Sequence, residues 1–380
     1  MTYARQRLWL GITGVGGTVL LCAVALLLDL PHRLVHPLAD QTFGSAVSWI
    51  ALAWMLHAAL LLPVDVAGGL LVVKERQSVP SWIAGWLRGV TVQWLWFALA
   101  TALLLRTGQQ FGASIATIVF LLLQVVLISR QGLLAWMVGG ISLQDASPEL
   151  QAAAARSGIT ARSVYEVGST DPSFVGAWTG TGAQHLWVPA RWVESLSPDQ
   201  LAAALARRAG VRVLGLRRRG VLVALAWNTV GFVLATVAPR ADIVTAPGFV
   251  AMLCWFTLWS FVGVLVLPSL SRPAVLSADR FALQQHDIAV VASTITQLDR
   301  WQDDEAERGE KVETIFHPVP ARGARLRALA GAMDRAGGAD GAWHATRMML
   351  FLSWAGIGGL SRAVHCNVGR PAVWVMLPGD

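Results

Sequence analysis

The chain has 380 residues, of which 55% are hydrophobic and only 14% charged, with a formal net charge of +7. Soluble domains carry about 25% charged residues, so this chain cannot coat its own surface with charge, and an ordinary soluble globular protein is excluded. The positive balance is nearly all arginine, since lysine occurs only at Lys74 and Lys311, and the arginines flank apolar runs, which favours lipid headgroups over nucleic acid.

A hydrocarbon core about 30 Å thick takes roughly 20 apolar helical residues. Residues 8–30 meet this behind Arg5 and Arg7. They lack a small-residue cleavage site, so they read as an uncleaved first span. Residues 46–62 form a second span, with 63–69 as a break before an apolar continuation to 73. Residues 86–105 and 111–129 are the third and fourth, completing an N-terminal membrane region over 1–141. A polar stretch follows to 219, then two spans at 220–238 and 249–267. A second polar stretch covers 271–346, and an apolar helix and tail occupy 346–380. Residues 348–360 are too short to cross and read as a buried or interfacial helix. The 18 Trp against 2 Tyr fit interfacial belts. Six spans give an α-helical membrane protein.

Orientation follows the basic residues. Arg5, Arg7, Lys74, Arg76, Arg88, Arg130, the run Arg207–Arg219, Arg272 and Arg280 all fall on one side of six spans. Only Arg33, Arg106 and Arg240 fall on the other. The reading is a multi-pass protein of a bacterial inner or plasma membrane with both termini cytoplasmic. The two large polar segments then share a face and combine into one small α+β domain over 142–345, interrupted by the membrane hairpin at 220–267.

Within that domain, Ser197-Pro198-Asp199-Gln200 is an S-x-x-Q capping box with Pro at the first helical position, and Leu201, Ala204 and Leu205 form an apolar face. This helix resembles the active-site helix of the HtpX-like and CAAX-prenyl-endopeptidase-like membrane zinc metalloproteases (gluzincins), where LSPEELEAVLAHELGH is typical. Asp171–Gly176 resembles that family's pNAFa-G stretch. His185–Val188 falls where the family has the strand that pairs with substrate. Ser271–Ala282 resembles SRxxEyxADxxA, and His317–Leu329 resembles HPpxxxRixrLra.

The resemblance places the first two zinc ligands at Arg207 and Val211, the general base at Arg208, the third ligand at Val275, and the Asp that orients a zinc-bound His at Asp279. Guanidinium has five donors and no acceptor, and valine has no ligating atom. The pattern is therefore a degenerate member lacking H-E-x-x-H, with zinc expected to be lost. Asp279 has two readings: a surface carboxylate pairing Arg280 or Arg272, or a buried partner of Arg207 that substitutes a cation for the metal.

Other candidates have plainer explanations. His185, His286, His317 and His344 share no ligand spacing. Cys22, Cys254 and Cys366 have neither zinc nor disulfide spacing and read as small apolar residues. Asp65 reads as an anchor near the interface. The spans carry almost no ionisable residues beyond Asp65 and His57, which disfavours a transporter or channel. The sequence therefore points to a proteolytically inactive homologue that binds a protein or peptide, or scaffolds a membrane complex, through the former cleft. The alternative is an active membrane metallopeptidase using non-standard residues.

Overall fold

The computed structural model describes residues 2–35, 42–168, 174, 176–331, 340–356 and 358–375. In chain order it contains α1 (Tyr3–Leu27), α2 (Phe43–Val66), α3 (Val79–Ser129), α4 (Gln131–Gly139), β1 (Ser142–Asp145), α5 (Pro148–Arg156), β2 (Val164–Gly168), β3 (Ala177–Thr179), β4 (His185–Pro189), α6 (Ala190–Ser195), α7 (Pro198–Val213), α8 (Leu216–Thr236), α9 (Ala246–Val266), α10 (Pro268–Leu283), α11 (Ile288–Trp301), α12 (Glu310–Phe316), α13 (Arg322–Ala330) and α14 (Ala345–Leu352). Thr2, Thr42 and Ser78 start the first three helices, each hydroxyl accepting from a backbone N–H three residues on.

Among the described residues five helices are long and apolar enough to cross a membrane, against the six expected. The difference lies in α3, a run of 51 residues. At 1.5 Å per residue it would measure about 75 Å if straight, more than twice a hydrocarbon core. Gly112 interrupts it at φ 78°, ψ 178°, a conformation open to glycine. The two sequence spans are thus arms at 79–111 and 113–129, joined by a single-residue break where the sequence suggested a loop.

The chain divides into two compact units. The first comprises Met1–Gly140, Leu225–Gly263 and Met349–Val375. Phe120 of α3 stacks on Phe232 of α8 at 4.5 Å and meets Phe256 of α9 edge-on at 6.0 Å. Leu20, Leu99, Leu122 and Val233 point outward, as a lipid-facing surface requires.

The C-terminal part of this unit departs from the helix expected over 348–360. Helix α14 stops at Leu352, and Gly356 at φ 123° prevents its continuation. Irregular backbone that is buried needs partners for its polar groups, and here protein side chains supply them. Arg7 donates to the carbonyls of His365 at 2.6 Å, Gly68 at 2.7 Å and Val368 at 3.0 Å. Trp82, Trp96 and Gln131 donate to the carbonyls of Gly369, Trp354 and Val375. Asp65 is buried: its carboxylate pairs with Arg362 and accepts from the Gly369 N–H and the Trp86 indole.

The second unit comprises Ile141–Ala224 and Val264–Met348. Its sheet runs β1-β2-β4-β3, with β2 and β4 parallel and the outer pairs antiparallel. One flank of α7 (Leu201, Leu205, Val211) packs with Trp178, Leu186 and Val188 from the strands and Val275 of α10. Ala203 and Ala206 pack with Val291, Ile295 and Leu329. A helix surrounded on all sides needs small residues, which the Ala202–Ala204 run supplies.

Candidate functional site

The capping box read from the sequence is formed: Ser197 Oγ accepts from Gln200 N–H, and Gln200 Oε1 accepts from Ser197 N–H. This fixes where α7 starts and which residues face α10. Arg207 and Val211 lie one turn apart on α7, and Val275 and Asp279 one turn apart on α10. Gly210 allows the close approach, since a Cβ there would lie 2.8 Å from Cβ and Cγ of Phe281.

All five positions singled out in the sequence are buried. Arg207 Nε donates to Asp279 Oδ1 at 2.6 Å, with both side chains 1% exposed. The surface reading of Asp279 is therefore replaced by the buried one. Arg272 instead pairs with Glu313 at 2.6 Å, and Arg280 Nε donates to the Leu276 carbonyl. Val211 and Val275 are fully buried in one apolar cluster. Arg208 lies over the rings of Trp192 and Trp343, and its carbonyl accepts from Trp178 Nε1 at 2.7 Å.

A third participant escaped the sequence reading. Arg325 of α13 donates through Nε to Asp279 Oδ2 and through Nη2 to Asp279 Oδ1, both at 2.8 Å. The two-pronged contact matches guanidinium to carboxylate geometry. One signal was available: Arg325 lies four residues before Leu329, on the same helical face.

These groups do not fit a zinc ion. The positions around Asp279 offer guanidinium donors and methyl groups, with no lone pair to replace the His and Glu ligands. Among the described residues no group of three His, Cys, Asp or Glu could hold a metal. His185 is exposed at the start of β4, near the Tyr165 ring. Burial, with Arg156 nearby, lowers the pKa of His286. His317 is buried, and that burial, reinforced by Arg308, lowers its pKa to about 4. His344 is buried near the Trp343 ring.

One further expectation is modified, and another falls mostly outside the described residues. Strand β4 carries His185–Val188, expected to pair with substrate, yet it has β2 on one side and β3 on the other. The sheet edge on that side is β3 (Ala177–Thr179). In the Asp171–Gly176 stretch only Phe174 and Gly176 lie within the described residues.

No protein family and no curated protein matches the chain by sequence. A solved structure does match by shape: the crystal structure of S. mikatae Ste24p, at a TM-score of 0.65 over 80% of this chain and 82% of that one. The fold resembles that of Ste24p. Identity is 13%, so the likeness speaks for architecture alone. The Ste24p-like fold and the five apolar helices found among the described residues together make this an integral membrane protein.

Proposed function

We propose that the chain is a proteolytically inactive relative of the HtpX-like and CAAX-prenyl-endopeptidase-like metalloproteases. It carries no zinc and uses its former substrate cleft to bind a protein or peptide partner or to scaffold a membrane complex. The observation that carries this reading is the Arg207–Asp279–Arg325 cluster. At the positions matching the family's zinc ligands and base stand two cations and two valines, and the carboxylate that would orient a ligand is occupied by guanidinium groups. Without a metal, water keeps its pKa far above neutral instead of falling to about 7. Arg208 cannot act as the base, because guanidinium does not give up its proton. In this reading α7 and α10 keep the geometry of a protease while their contact has become structural.

The test is elemental analysis of the purified full-length protein in mild detergent, with a casein cleavage assay. Less than about a tenth of a zinc per chain and no cleavage are expected. About one zinc per chain, removed by a chelator together with peptidase activity, overturns the reading.

A further inference from the structure

We propose that Arg217 is the fixed cation of a phosphate-binding site where α8 begins, the phosphate belonging to a lipid headgroup or free in solution. Arg217 is the second residue of α8, and only 5% of its surface is exposed. Its Nε and Nη2 are enclosed and have no hydrogen-bond partner among the described residues. A guanidinium remains charged and offers five donors, and a charge buried without a partner is too costly to be left so. Such a group marks a place where an ion or ligand belongs.

Other buried arginines of the chain are compensated. Arg207 and Arg325 share Asp279, Arg308 holds Asp303 and Glu305, and Arg362 holds Asp65. Arg7 is surrounded by carbonyl oxygens and Arg208 lies over two indoles. No described carboxylate lies within ion-pair distance of Arg217.

The position selects phosphate among anions. Helix α8 is 21 residues long and apolar enough to cross a membrane, and a bilayer crossed by it would bring headgroup phosphates to its first turn. That turn is a helix N-terminus, where the dipole favours negative charge. Arg218, the next residue, is exposed and adds a second cation. The turn is fixed in place: the Leu216 carbonyl accepts from Trp343 N–H at 3.0 Å, and a Cβ at Gly220 would overlap the Trp343 carbonyl. The planar fork of arginine suits two phosphate oxygens at once.

The experiment follows thermal unfolding of the delipidated full-length protein in non-ionic detergent. One arm adds phosphatidylglycerol, with diacylglycerol as the phosphate-free control. The other adds inorganic phosphate against chloride at equal ionic strength. Wild type is expected to gain on the order of 5 °C in Tm at saturation with one phosphate probe, and the probe that acts identifies the source. R217M should lose the gain, while R218M keeps at least half of it. A gain in R217M equal to that of wild type, or no gain in either arm, overturns the site. Should R217M not fold, R217K keeps the charge and loses the fork. It is expected to lose at least half the gain, and an undiminished gain in R217K overturns the proposal equally.

Discussion

Asp65 and Arg362 are separated by 297 residues in the chain and form an ion pair with 2% and 4% of their side-chain surfaces exposed. Arg362 also donates to Gln93 and lies over the rings of Trp86 and Trp374. The pair ties the irregular C-terminal segment to α2 and α3, which makes that segment part of the membrane unit.

Removing one member of this pair strands the other in a buried site. Arg362→Met and Asp65→Leu are each expected to destabilise by about 3–5 kcal/mol. The double variant should lose less than the sum, because no charge is left unpaired. Tm values of the three proteins in detergent decide it, and strictly additive losses would refute the coupling.

The Asp279 cluster predicts an asymmetry. Arg207→Ala leaves Asp279 with both bonds from Arg325, so the expected loss is about 1–3 kcal/mol. Asp279→Ala leaves two buried guanidinium groups facing each other, at about 3–5 kcal/mol. The Arg207–Asp279 double-mutant cycle should give coupling above about 1 kcal/mol. Equal losses from the two single variants, with no coupling, would contradict the geometry.

Gly210 reverses the usual helix rule. Gly→Ala inside a helix ordinarily gains about 0.5–1 kcal/mol. At Gly210 the new methyl would sit 2.8 Å from Phe281 Cβ and Cγ, well inside normal carbon contact. Gly210→Ala should therefore cost about 1–3 kcal/mol. Gly16→Ala in α1, where nothing lies within 4 Å, should be neutral or stabilising. Thermal denaturation of both variants checks the order.

His317 predicts acid sensitivity. Burial, with Arg308 nearby, lowers its folded pKa to about 4, whereas an unfolded histidine titrates near 6.5. The unfolded chain thus binds the extra proton first as pH falls. This contribution is fully present above about pH 6.5 and is lost progressively down to about pH 4, amounting to about 3 kcal/mol. His317→Leu should flatten the fall of Tm between those pH values; an unchanged slope would remove His317 as its source.

The arginine distribution predicts topology. Single cysteines at Gly44 and Ala241, in a background lacking Cys22, Cys254 and Cys366, should be labelled from the side opposite the 142–219 segment. Labelling of Ala241→Cys from the cytoplasm would break the proposed hairpin of α8 and α9.

Features set by local chemistry were legible in the amino-acid order. Apolar run length located the membrane helices, and Ser197 with Gln200 located the start of α7, because solvation and capping act over one or two turns. The same locality explains what was missed. A 51-residue helix with one break at Gly112 carries the same hydropathy as two spans and a loop. The internal position of β4 depends on β3 and β2 folding against its two edges, which alternation within His185–Val188 cannot encode. Asp279 reached its partners across 72 residues to Arg207 and 46 to Arg325, and Asp65 across 297 to Arg362. A buried charge states in the sequence only that it needs compensation; which distant group supplies it is decided when the helices pack.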